Sequence, residues 1–314
     1  MSNIVWKPQD YHLKSSNIAK FISHINEKFL LEIDQYDQLY EWSINNPSIF
    51  WDNISKFCDI NFSHQPKNIL ERHESFIGSK WFEGATLNFA ENLLKHKDDT
   101  LAIEYFFEDK IKGNITYKEL HEQVRVCYLH LKSLGVKKGD RVAGYLPNIP
   151  QTIIAMLATS ALGAVWSSCS PDFGIRGVLD RFEQINPKVL FVADGYFYKG
   201  KKIDLTSNIL EIQSSLSSLK ETICINIINA KKIIQVSYWD DIPKNEGKIN
   251  FEPVTFSHPL YIMYSSGTTG KPKSIVHSVG GTLIQHLKEL VLHCDLKKED
   301  KIFYFTTCGW MMWN

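Results

Sequence analysis

From Leu101 onward the apolar positions alternate between two periods. LAIEYFF (101–107) reads as a strand and EDKIKG as a hairpin turn. Thr116-Tyr117-Lys118-Glu119 fits a capping box, in which the threonine oxygen accepts from an amide three residues on and the glutamate reaches back. Leu120, Val124, Cys127, Leu131 and Leu134 then recur at helical spacing, and Gly135 ends that helix. RVAGYL (141–146) is a strand, residues 150–162 a helix that stops at Gly163, and AVWSSC a second strand. Ile175 to Ile185 forms a helix with Val178, Phe182 and Ile185 inward, closed by Pro187, and KVLFVA is again a strand. Strands alternating with helices of this length predict an α/β fold: parallel or mixed sheets covered by helices. Residues 204–258 are less regular, with a helix near 206–220 and strands near 222–228 and 232–236. KSIVHS is a strand, Gly281 to His293 a helix and KIFYFTT (301–307) a last strand. Before residue 95 no strand–helix unit repeats. Helical patterns run from Tyr36 to Trp42 and again after Pro47, and another begins after Asn88. The division expected is an α-rich extension over 1–95 and an α/β domain over 96–314.

Composition narrows the function classes. The chain has 314 residues, 44% hydrophobic and 22% charged, with equal numbers of basic and acidic side chains. That balance favours neither a nucleic-acid surface nor a membrane-binding basic face. The thirty residues from Val142 to Pro171 carry no charge, but Pro147, Asn148, Pro150 and Gln151 interrupt them. The uninterrupted apolar part is shorter than the ~20 residues a spanning helix needs, so interior strand, helix and strand is the reading. The N-terminus has no basic segment followed by an apolar one, which argues against a signal peptide. None of the six cysteines forms a C-x-x-C pair. Buried thiols in a reducing cytoplasm are expected, not a disulfide framework, and no metal site.

The chemistry concentrates in YIMYSSGTTGKPKSIVHS, residues 261–278. Six small residues, Ser265, Ser266, Gly267, Thr268, Thr269 and Gly270, stand between two strand-like segments, followed by Lys271, Pro272 and Lys273. Successive amides in such a turn form a concavity for anions. Hydroxyls add donors and the lysines add charge. One lysine–phosphate pair at ~4 Å, at an effective dielectric near 20, contributes about 4 kcal/mol before desolvation. The glycines lie too close together for a Walker A loop, and a strand follows where that loop starts a helix. Dinucleotide, serine-hydrolase and zinc motifs are absent. Composition alone favours a polar surface turn over a cradle for a triphosphate; the particular string shifts that balance.

YSSGTTGKPK resembles the signature phosphate loop of the adenylate-forming enzymes: acyl-CoA synthetases, luciferases and peptide-synthetase adenylation domains. The stretch from ITYKELHEQV to SSCSPDFG resembles the first half of that family's large domain, and WFEGATLNFAENLL resembles the N-terminal extension of its short-chain branch. The ending FTTCGWMMWN resembles the members that take a four-carbon keto acid. The resemblance implies ATP, magnesium and coenzyme A as co-substrates and an acyl-adenylate intermediate. It places the β- and γ-phosphates on Ser265 to Lys273 and the acyl-pocket wall at Trp310, Met311 and Met312. For these last three, core packing is the equal alternative. It suggests coenzyme A phosphates near Arg176 or Arg181, against solvated helix-surface arginines, and admits His277 either near the site or as a structural histidine. Ser274 stands where many relatives have glycine, and little effect is expected of it.

Measured against the family, residues 96–314 read as the first part of the AMP-binding domain. The adenine, ribose and magnesium motifs and the C-terminal domain with its adenylation lysine would lie beyond Asn314. The expected partner is that other half. Rival readings are an acetyl- or propionyl-type sibling, a peptide-synthetase module, and a non-catalytic remnant or split-protein half.

Overall fold

The charge-free run from Val142 lies at the centre of the fold. In the computed structural model, which describes Val5 and residues 9–108, 110–265 and 270–314, helix α1 (Tyr117–Ser133) leads into strand β1 (Arg141–Tyr145). Helix α2 (Pro150–Ala161) and strand β2 (Val165–Cys169) follow. Then come α3 (Ile175–Ile185), β3 (Val189–Ala193), α4 (Thr206–Ser215), β4 (Glu221–Ile225) and the short β5 (Ser237–Tyr238). Strands β6 (Pro259–Ser265) and β7 (Lys273–Ser278) complete a seven-stranded sheet in the order β5-β4-β3-β1-β2-β6-β7. Every pairing from β5 to β6 is parallel and only β6–β7 is antiparallel. From β1 the chain steps to β2 on one side and returns to β3 on the other, the winding of a doubly wound sheet.

Burial explains the missing charges. Residues Val142 to Tyr145 and Val189 to Ala193 are buried, and α2 is buried on nearly every face. Its polar residues turn back on their own helix: the Thr159 hydroxyl donates to the Ala155 carbonyl at 2.7 Å and Ser160 to Leu157 at 3.1 Å. Among the described residues no helix is long and apolar enough to cross a membrane. The other face of the sheet packs Val178, Phe182 and Ile185 of α3 and Ile209 and Ile212 of α4 into one core with Tyr145, Leu190 and Val192. The carboxylate of buried Asp194 accepts from the amides of Ile227, Ile228 and Ala230 at 2.6–3.1 Å and so closes the loop after β4.

By contact density the chain divides into two units. The one just described holds Leu87–Val254, His258–Val279 and Tyr304–Asn314. The other holds residues up to Thr86 together with Thr255–Ser257 and Gly280–Phe303. It contains helices Asp10–Ser15, Asn17–Phe29, Tyr36–Asn45 and Pro47–Phe57. Phe21 lies edge-on to Phe50 and Phe57. The Asn17 amide nitrogen donates to Asp295 at 2.7 Å, and its side chain donates to the carbonyls of Val291 and Leu296.

Several sequence expectations change. KIFYFTT is not a strand: residues 301–307 carry no ladder among the described residues, and Ile302, Phe303, Tyr304 and Phe305 are exposed. An apolar β pattern needs a neighbouring edge, and none is paired with it. The strand expected at 232–236 is replaced by β5, because Gln235 is left-handed (φ 66°) and Ile233 donates its amide to the Tyr238 hydroxyl instead. Helix α4 ends at Ser215 and not near 220, since Leu216 turns into the core and Lys220 joins the Lys188 carbonyl. The helix expected at 281–293 is α-helical over Val279–Leu287 and continues as a π-helix over Lys288–His293. The helix at Asn17–Phe29 was not anticipated.

Candidate functional site

The small-residue loop joins the antiparallel pair β6–β7, in which Ser265 faces Lys273 and Tyr264 faces Ser274. Ser266, Gly267, Thr268 and Thr269 lie outside the described residues. Ser265 is half-buried, whereas Gly270, Lys271 and Lys273 are exposed. Gly270 has φ 125°, a backbone state that residues with a Cβ rarely adopt, so glycine is required there. The Lys271 ammonium lies 3.8 Å from Glu183 of α3, a solvent-exposed pair that binds it weakly.

Helix α3 supports this hairpin from below. The Tyr264 hydroxyl donates to the Arg181 carbonyl at 3.0 Å and lies 3.5 Å from the Ser167 hydroxyl. Burial pushes the Tyr264 phenol well above its ordinary range, so it stays a neutral donor. The Arg181 guanidinium stacks between two rings, 4.7 Å from the centroid of Phe173 and 5.6 Å from that of Tyr264, and donates to the Gly177 carbonyl at 2.6 Å. It is therefore occupied in packing. Arg176 projects into solvent, 3.9 Å from Asp180. Gln184 donates to the Pro272 carbonyl at 3.0 Å and accepts from the Ser274 hydroxyl at 3.1 Å. His277 is exposed in the ladder opposite Tyr261, and desolvation lowers its pKa.

The end of the chain lies across the carboxyl ends of β1 and β2. Ser168 donates to the Cys308 carbonyl at 2.7 Å, and the Trp313 indole donates to Asn148 at 2.9 Å. Buried Cys308 and Trp313 hold the segment at both ends, and the residues between them turn outward. Trp310, Met311 and Met312 are 62%, 41% and 62% exposed. They line no core, so core packing is not what the structure shows for them. Phe173 links the two regions: its ring lies against Gly309 on one side and under Arg181 on the other.

Sequence reasoning did not find Glu183, Gln184, Phe173, Tyr264 or Asn148. Nothing in their local pattern marks them: only the seat of the hairpin on α3 brings Glu183, Gln184 and Tyr264 to the loop, and only the path of the chain end brings Phe173 to Gly309 and Asn148 to Trp313. Among the described residues no three histidine, cysteine, aspartate or glutamate side chains group to hold a metal ion.

Residues 36–93 match the model described as acetyl-coenzyme A synthetase N-terminus, and residues 89–313 match the model described as AMP-binding enzyme. The acetoacetyl-coenzyme A synthetase of Rhizobium meliloti is 41% identical over 99% of this chain and 48% of its own length, and the acetoacetyl-CoA synthetase of Gallus gallus is 40% identical over 100% of this chain and 49% of its own length. The solved acetoacetyl-CoA synthetase from Streptomyces lividans superposes with a TM-score of 0.95 at 40% identity, over 99% of this chain and 49% of that one. The chain spans about half the length of the curated relatives it matches. Because the AMP-binding model covers well over half of these residues, the chain belongs to the AMP-binding enzyme family.

Proposed function

We propose that this chain is the phosphate-gripping part of an acid–thiol ligase that activates acetoacetate. In that reaction a carboxylate oxygen attacks the α-phosphorus of ATP, and pyrophosphate leaves. The thiol of coenzyme A then attacks the acyl carbonyl of the adenylate, and AMP leaves. A free carboxylate is a poor electrophile, and AMP is a far better leaving group than oxide. The protein's contribution is mostly positioning and charge stabilisation. Magnesium, bound with the nucleotide, would supply charge neutralisation on the phosphates.

The observation that carries this reading is the β6–β7 hairpin, which pairs half-buried Ser265 with Lys273 and leaves Gly270, Lys271 and Lys273 exposed beside it. In the proposal, Ser265 to Gly270 donate amides and hydroxyls to the β- and γ-phosphates, and Lys271 and Lys273 supply charge. Lys271 exchanges its weak pairing with Glu183 for phosphate. Trp310, Met311 and Met312 form an apolar wall, adaptable through the methionines, for the methyl end of the four-carbon acid. Arg176, exposed on α3, is the better of the two arginines to meet a coenzyme A phosphate, since Arg181 is stacked. Residues 1–95 serve as the short-chain branch's extension and 96–314 as part of its adenylation domain. The unbridged cysteines suit a reducing cytoplasm.

The test is acetoacetate-dependent exchange of pyrophosphate into ATP. The chain supplied together with a polypeptide equivalent to the remaining half of its relatives is expected to catalyse it, and the 314-residue chain alone is not. Exchange with acetate or propionate but not acetoacetate would transfer the assignment to a sibling ligase. Robust turnover by the chain alone would show that it is not merely a part.

A further inference from the structure

The last turn of α3 is built as a rigid mount. Asn186 caps it in the left-handed conformation (φ 47°) with its amide on the Phe182 carbonyl. The Arg141 guanidinium, at the start of β1, donates to the carbonyls of Ile185 at 2.7 Å and Asn186 at 3.3 Å. Gln184 stands on this turn, and its amide nitrogen also donates to the Asp180 carbonyl at 2.6 Å. The same carboxamide reaches the hairpin twice, donating to Pro272 and accepting from Ser274. On the incoming strand Tyr264, directly across the ladder from Ser274, is tied to the Arg181 carbonyl. Both limbs of the hairpin are thus fastened to one helix, immediately before and after the loop.

We propose that Gln184, acting through Pro272 and Ser274, is a positioning residue that fixes Gly270 to Lys273 against α3 so that Lys271 and Lys273 face the polyphosphate. Gln184 does not itself touch the nucleotide. This inference rests on the nucleotide reading given above. It also gives Ser274 a role: a glycine there has no hydroxyl to offer Gln184, so the contact needs the serine.

The experiment titrates inorganic tripolyphosphate, and separately magnesium–ATP, into the 314-residue chain by calorimetry. The proteins are wild type, Gln184→Ala, Ser274→Ala and the double variant. Each single variant is expected to bind tripolyphosphate about 3- to 10-fold more weakly, the scale of one or two hydrogen bonds. All four should melt within about 2 °C of each other, because these side chains are exposed and lie outside the core. The double variant should match Gln184→Ala, since the serine bond is already lost there. Equal affinity of wild type and Gln184→Ala overturns the positioning role and leaves the nucleotide reading standing. A double variant that shows the product of the two single losses overturns the pairing with Ser274. Failure of wild type to bind tripolyphosphate defeats the nucleotide reading, and this role with it.

Discussion

Asn88 is a buried carboxamide that ties three separate segments together. Its nitrogen donates to the carbonyls of Ser160 at 3.0 Å, Ala161 at 3.2 Å and Glu252 at 2.9 Å. Its oxygen accepts from the Glu91 amide at 3.2 Å and so caps the helix Phe89–Leu93. Asn88→Ala removes a helix cap and the side-chain donor on the Glu252 carbonyl, while the Ser160 and Ala161 carbonyls keep the amides of Gly163 and Glu252. It should cost about 1–3 kcal/mol in urea denaturation, and a change below ~0.5 kcal/mol would contradict the role. At Glu119 the carboxylate accepts from the Thr116 amide at 2.8 Å, and this hydrogen bond holds its pKa below the usual glutamate range. A lowered folded-state pKa stabilises the protein above the unfolded value, and that stability is lost as pH falls through the lowered value. Wild type should therefore melt above Glu119→Gln at about pH 6, and the gap should close towards about pH 3. A gap that widens in acid would refute this. The capping box was legible because it is local. The reach of Asn88 was not, because its acceptors lie far along the chain.

At the scale of elements, close approach decides more than pattern. Gly280 stands in the helix Val279–Leu287, where a Cβ would lie 2.1–2.4 Å from ring atoms of Phe256. Phe256 is itself stacked on Phe82 with centroids 4.6 Å apart, so it has little room to yield. Gly280→Ala should destabilise by about 1–3 kcal/mol in thermal or denaturant unfolding, and unchanged stability would mean that Phe256 moves freely. Among the thiols, burial pushes Cys169 and Cys224 up to about 12 and raises Cys127 and Cys308 further. Native-state labelling at neutral pH should modify exposed Cys294 first and leave these four unreactive until unfolding. Fast labelling of any of them would count against the core as described. Periodicity sufficed for α1, α2, α3 and strands β1 to β3, whose inward faces are buried, and it found β4, which ends at Ile225 and not near 228. It failed at β5, where a single left-handed residue redirects the chain, and at α4, where the last turn yields to packing of Leu216.

For the whole molecule, the run from Ile302 to Phe305 is the feature that composition does not reveal. Its side chains are 58–91% exposed, although the sequence reads as an interior strand. An uncovered apolar run of this kind promotes association. Sedimentation velocity on the 314-residue chain should show concentration-dependent association, reduced by Phe303→Ser with Phe305→Ser. A monomer at every concentration would argue that the run is inert. The amino-acid order by itself determined the α/β class, the strand–helix alternation and the presence of a hydroxyl-rich loop between two strands. Each of these is written in neighbouring residues through periodicity, caps and small side chains. The antiparallel seat of that loop at the end of a parallel sheet was decided only by tertiary structure, as were its fastening to Gln184, the stacking of Arg181 between Phe173 and Tyr264, and the outward turn of Trp310 to Met312. These contacts join residues up to 165 positions apart, as between Asn148 and Trp313. No local pattern encodes such a distance, and only the winding of strands around β1 creates it.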